Sequence, residues 1–192
     1  MLWKKILAVF IISVTVISVL PARAAVPSSS FFSDNFEGYS QYGGDLYIKR
    51  WDAVMPGSTG ASIRLEKDGD NGFAAFSVPP ESSAAYIKKS HIDNSGRTLI
   101  YEGRFYQFHN GAKMTLIFGS DSGSMELLSL CGNSISMRGE DNLFMPLNAA
   151  PALKEWNKLA CVVNAETSTV SVLLNQETIA SEVHIDFSGM DM

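Results

Sequence analysis

The sequence predicts an all-β protein, a two-sheet antiparallel sandwich of the jelly-roll type. Turn formers recur at short intervals: Gly43-Gly44, Pro56-Gly57, Asp68-Gly69, Asn71-Gly72, Pro79-Pro80, Asn94-Ser95-Gly96, Asn110-Gly111, Asp121-Ser122-Gly123 and Gly132-Asn133. Strands of roughly five to eight residues fit between them, whereas a helix of three or four turns does not. Several of the intervening segments alternate apolar and polar residues with a period of two. The composition, 46% hydrophobic and 18% charged over 192 residues, supplies one sizeable core and excludes a disordered or fibrous chain. Two sheets that each bury one face against the other use such strands most directly.

Residues 1–24 read as a Sec-type signal peptide. Lys4 and Lys5 precede an uncharged run from Ile6 to Leu20, Pro21 ends it, and Ala22-Arg23-Ala24 offers small residues for cleavage. A permanent anchor would need roughly 20 apolar residues, more than this run provides. No Cys follows the run, so a lipid anchor is not indicated. The mature chain is expected to begin at Ala25, with a linker over 25–30 and one domain over 31–192. It would work outside the cytoplasm, secreted, periplasmic or at the cell surface, with no membrane contact after cleavage. Three of the 15 Lys and Arg lie in the leader, so its removal takes the formal charge from −5 to −8. A nucleic-acid partner is therefore not expected. Cys131 and Cys161 both lie in the exported part, where either a disulfide or two buried thiols fits.

Within the domain, Thr98–His109 alternates, with Leu99, Tyr101, Gly103, Phe105, Gln107 and His109 on one face. Lys113–Phe118 and Ser124–Leu130 continue the pattern. Asn110-Gly111 predicts a hairpin between the first two of these segments. Trp156–Ala180 is the clearest hairpin. Leu159, Cys161 and Val163 precede a turn over Asn164–Thr169, and Val170, Val172 and Leu174 return on the same face as its core. Asn175-Gln176 begins another turn. Trp156 reads as a core residue where this strand begins, and Ala152–Trp156 as the one helical turn.

The opening Phe32-Ser33-Asp34-Asn35-Phe36-Glu37-Gly38-Tyr39, then Trp51, Gly57, Gly60 and Asp70-Asn71-Gly72, resembles the start of bacterial concanavalin-A-like, laminin-G-like jelly rolls. Trp156–Asn164 followed by Val170–Asn175 is similar to the Trp-led hairpin of that family. The resemblance implies a last strand that returns beside the first. Either Val183–Phe187 takes that place, or the last strand is missing and Phe31–Tyr39 has an open edge.

That resemblance also implies chemistry to look for. Laminarinase-type members carry Glu-x-Asp-x-x-Glu, and here Glu126 has no second carboxylate at such spacing. Alginate-lyase-like members carry Gln-x-His, and Gln107-Phe108-His109 matches it, with Arg104 as the companion cation of a polysaccharide-cleaving alternative. The Arg-rich and Tyr/Lys-bearing strands of those lyases are absent from the sequence. Asp68-Gly69-Asp70-Asn71-Gly72 has a superficial likeness to a calcium loop but lacks the bidentate Glu, and a hairpin turn fits it better. His91, His109 and His184 have no metal-ligand spacing, and neither a Gly-x-Ser-x-Gly elbow nor a phosphate loop occurs. No cofactor is expected.

Aromatic side chains remain as candidate ligand contacts, since pyranose rings stack on exposed Trp and Tyr. Trp51, Tyr42, Tyr47 and Tyr106 are available, with His109 beside them on Tyr106's strand. The expected function is therefore an exported, non-catalytic carbohydrate-binding or adhesion module. Its partners would be a glycan, a cell-surface polysaccharide or a protein.

Overall fold

The computed structural model describes residues 9–16, 33–34, 36, 53–55, 61–79, 85–88, 98–107, 111–119 and 123–187. Among them are fourteen strands and no helix. In chain order these are β1 (Val9–Val16), β2 (Ser33–Asp34), β3 (Ala53–Met55), β4 (Ser62–Asp68) and β5 (Asn71–Ser77). Next come β6 (Tyr86–Lys88), β7 (Thr98–Tyr106), β8 (Lys113–Gly119), β9 (Ser124–Cys131) and β10 (Ser134–Arg138). The last four are β11 (Phe144–Leu147), β12 (Trp156–Asn164), β13 (Thr169–Leu174) and β14 (Glu177–His184).

One sheet runs in the order β14-β13-β12-β7-β1-β5-β4, with β2 also paired to β1, and the second runs β11-β10-β9-β8. A separate ribbon joins β3 to β6. All pairings are antiparallel. The two large sheets share one core. Leu159, Cys161, Val163, Val170, Val172 and Leu174 from the first are buried in the same cluster as Leu127, Leu128, Leu130, Ile135 and Met137 from the second. This is the predicted all-β sandwich, consistent with a jelly roll, and the six predicted core residues of the β12–β13 hairpin all lie inside.

Local chemistry sets each hairpin. β4 and β5 turn through Gly69-Asp70, with Asp68 opposite Asn71, and Gly69 takes a left-handed φ of 60°. β9 and β10 turn through Gly132-Asn133, where Gly132 has φ 62°. Asn164 Oδ1 accepts hydrogen bonds from the backbone N–H groups of Glu166 (3.0 Å) and Thr167 (3.2 Å), which shapes the β12–β13 turn. The β8–β9 pairing slips between Leu116 and Ile117, so Leu127 and Leu128 are both wholly buried although adjacent.

Four expectations are corrected. Thr98–His109 and Lys113–Phe118 do not form a hairpin. β7 is paired on one side by β12 and on the other by β1, so neither of its edges is left for β8. The chain instead crosses to the second sheet, and Gln107 Nε2 donates to the Ala112 carbonyl (3.1 Å) across that corner. Ala152–Trp156 is a turn without helix, with Lys154 at φ 56°. Trp156 is not core: it is 40% exposed. Val183 pairs with Val170 of β13, so this segment does not return beside the first strand of the domain, and Ser33-Asp34 pairs with β1 instead.

The turn between β13 and β14 carries removable strain. Asn175 and Gln176 have φ of 51° and 73°, the signature of a hairpin turn that favours Asn-Gly. Asn175 is suited to it and anchors the turn, its Oδ1 accepting from Lys158 N–H at 2.8 Å. Gln176 has no such compensation in its backbone, because a left-handed conformation costs a β-carbon-bearing residue about 1–2 kcal/mol and glycine nothing comparable. Gln176→Gly is expected to stabilise the fold by about 0.5–1 kcal/mol after the entropy glycine adds to the unfolded chain. Urea unfolding of the two forms measures it.

Candidate functional site

The pairing of β7 with β12 decides what lies on the outer face of the large sheet. Tyr106 stands opposite Trp156, Arg104 opposite Lys158, and Glu102 opposite Ala160. Their neighbours Phe105, Leu159 and Cys161 point the other way and are buried. Since side chains alternate along a strand, Trp156 and Tyr106 must share the outward face.

Trp156 is the centre of an aromatic group there. Its ring meets Tyr106 edge-on at 5.8 Å between centroids and Phe73 of β5 edge-on at 6.2 Å, both at 72°. Such contacts contribute roughly 0.5–1.5 kcal/mol each beyond the area they bury. Beside the rings, Lys158 Nζ lies 2.9 Å from Glu102 Oε2. Arg104 is exposed and stands directly across from Lys158, two like charges that Glu102 only partly offsets.

Asn157 holds the strand that carries this tryptophan. It is 1% exposed, yet every hydrogen bond of its carboxamide is used. Its Oδ1 accepts from Ala152 N–H (2.9 Å) and from Asn175 Nδ2 (3.2 Å), and its Nδ2 donates to the carbonyls of Ala152 (2.7 Å) and Glu155 (3.1 Å). The Lys154 N–H donates to the Gln107 carbonyl at 2.9 Å, which ties the same turn to the end of β7. A buried amide with this many partners fixes one backbone path, and the exposed indole inherits that fixed position.

Of the residues singled out in the sequence, Tyr106 and Arg104 lie at this patch. Gln107 is 2% exposed, with its carboxamide committed to the Ala112 carbonyl. Trp51, Tyr42, Tyr47, His91 and His109 lie outside the described residues. Glu126 is held by Lys113 Nζ at 3.1 Å and by the Thr115 hydroxyl at 3.2 Å. Asp68–Gly72 forms the β4–β5 hairpin turn. Among the described residues, no group of three or more His, Cys, Asp and Glu could hold a metal ion.

Away from this patch, an open cleft of about 490 Å³ lies between the β10–β11 turn and the end of β14. Glu140, Asp141 and His184 line it with Met145 and Val183. Asp141 Oδ1 accepts from the Leu143 N–H at 3.0 Å, so this carboxylate shapes its own turn. No protein-family model, curated protein or solved structure matches the chain.

Both cysteines are free thiols, Cys131 exposed and Cys161 buried. The expectation of two buried thiols therefore holds for Cys161 alone. Burial pushes the Cys161 thiol from about 9 up to about 12, and it also raises the phenol of Tyr101, which stands opposite it on β7 and is raised further by Cys161. Between those values the folded chain binds more protons than the unfolded one. This contribution to stability is therefore complete below the unfolded value and falls as pH rises toward the folded one. Stability measured by urea unfolding from about pH 8 to about pH 11 should decline, and Cys161→Val should flatten part of that decline. A thiol reagent should label Cys131 rapidly and Cys161 only on unfolding.

Proposed function

We propose that the protein is an exported, non-catalytic module of the concanavalin-A-like kind that binds a glycan on the outer face of its large sheet. The observation that carries this reading is Trp156, which presents 40% of its surface to solvent while held edge-on by Tyr106 and Phe73. An apolar ring of this size gains by burial, and its exposure on a rigid strand favours a stacking partner with an apolar face. The axial C–H face of a pyranose is such a partner. Arg104, Lys158 and Glu102 then supply hydrogen bonds around the ring hydroxyls. Among the described residues the outward face is an open sheet surface, which suits a polysaccharide chain better than a small metabolite.

Non-catalytic binding is favoured because two of the candidate groups for cleavage are already committed to structural contacts. Gln107 serves the corner of the sandwich, and Glu126 is engaged by Lys113 and Thr115. Acid–base cleavage needs two or more such groups aimed at one bond.

Affinity electrophoresis against a panel of neutral and acidic polysaccharides tests the proposal. Retardation by at least one of them is expected, with no accumulation of reducing ends or unsaturated uronates. Trp156→Ala should weaken binding about ten-fold, the loss of roughly 1.4 kcal/mol from one stacking ring, while the far-ultraviolet spectrum stays that of β-sheet. Binding that survives Trp156→Ala and Tyr106→Ala together would place the site elsewhere.

A further inference from the structure

We propose that the position of β1 in the large sheet is an exchangeable strand-acceptor site, filled by Val9–Val16 in the full chain and open to a separate uncharged, β-branched strand once residues 1–24 are removed. The first half of β1 pairs with β5, from Val9 opposite Ser77 to Ile12 opposite Ala74. Its second half pairs with β7, from Ser13 opposite Arg104 to Val16 opposite Tyr101, while Val14 and Thr15 also face Asp34 and Ser33 of β2. The expected export leader is thus the piece that joins β5 and β2 to β7. Taking it out removes the shared partner of β5, β7 and β2.

Of the strands that flank the slot, β5 is built as an interior strand, whereas β7 carries Glu102 and Arg104 along it. True sheet edges are blunted by charge, proline or irregular pairing. The outermost strands follow this rule: β4 carries Arg64, Glu66, Lys67 and Asp68, and β14 carries Glu177 and Glu182 and pairs irregularly with β13. The β5 side of the slot is Ala74-Ala75-Phe76-Ser77, without charge or proline. Two edges that run in the same direction one strand apart, one of them without charge or proline, are a template for strand addition.

The chemistry of the occupant follows from the segment seated there. Val9–Val16 reads Val-Phe-Ile-Ile-Ser-Val-Thr-Val, with six of its 8 residues β-branched. Such residues lose more side-chain freedom in a helix than in a strand and pack well on a pleated surface. A successor therefore needs the same length and character and must run antiparallel to both β5 and β7.

The test uses the full chain with a site-specific protease sequence placed between Ala24 and Ala25, so that it does not depend on how the leader is processed in cells. Before cleavage, Thr15→Cys with Glu102→Cys in a Cys131→Ser background should cross-link, because these positions are paired. Absence of the cross-link would overturn the assignment of β1 to the slot. On cleavage, amide hydrogen exchange along Ala74–Ser77 and Tyr101–Arg104 should rise at least about ten-fold, while Leu159–Val163 stays protected. A synthetic peptide of the Val9–Val16 sequence should restore the protection, and one with proline at its two central positions should not. Unchanged exchange after cleavage would overturn the inference. Loss of protection at Leu159–Val163 would do so as well, by making β1 a fixed part of the core. Protection that returns without peptide and grows with protein concentration would mean that a second copy fills the slot, which also overturns it.

Discussion

The residue-for-residue ladder between β7 and β12 is the constraint on which the rest depends. It runs from Thr98 opposite Asn164 to Tyr106 opposite Trp156 without a slip. A shift of one residue would exchange the two faces of the strand. Leu159, Cys161 and Val163 would then meet water, and Lys158 would enter the core beside Leu127 and Leu130. The burial of those apolar side chains, roughly 1.5–3 kcal/mol each, enforces the register. The same register delivers Tyr106 and Trp156 to one place on the outside. Core and candidate site are two faces of one pairing.

Much of this was legible in the sequence because the β12–β13 hairpin states its own phase. Its apolar positions alternate without interruption, and a polar turn with Asn164 at its start separates them. The position of Trp156 was misread as core, although it is three residues from Leu159 and so on the opposite parity from the core. Size and hydrophobicity argue for burial of an indole, but along a strand parity outweighs both. The crossing at Gln107–Ala112 was not legible. Asn-Gly between alternating segments fits a hairpin locally, and only the occupation of both edges of β7 excludes it. Nor does spacing reveal Asn157 as a support: an isolated Asn at a strand start looks like a solvated residue until its four partners from Ala152, Glu155 and Asn175 converge on it.

Residues 1–24, read from sequence as an export leader, meet two sets of rules in one segment. An uncharged aliphatic run after two lysines meets the requirements for export, which depend on mean hydropathy and flanking charge. The same run, rich in Val and Ile, meets those of a central strand, which depend on side-chain shape and two free edges. Nothing in an export signal demands β-branching, so the strand pairing rests on a property that the export reading leaves unused.

The slot and the aromatic patch are also linked through β5. Phe73 belongs to β5, whereas Tyr106 and Trp156 belong to β7 and β12, and in the strand order β5 reaches β7 only through β1. Ile63, Leu65 and Phe76 of the β4–β5 hairpin are buried, yet they are not members of the cluster that joins the two large sheets. With the slot empty, the hairpin would lose its backbone ladder to β1 and keep the packing of those buried side chains and the contact of Phe73 with Trp156, the latter worth roughly 0.5–1.5 kcal/mol. Ordering its backbone costs on the order of 1 kcal/mol for each residue, so the ladder to β1 is a large part of what fixes the position of Phe73. On the strand-exchange proposal, a filled slot holds Phe73 beside Tyr106 and Trp156, and an empty one loosens it. The extent of the aromatic patch proposed to bind a glycan would then be set by backbone pairing on the neighbouring strand, through a residue that need not touch the occupant at all.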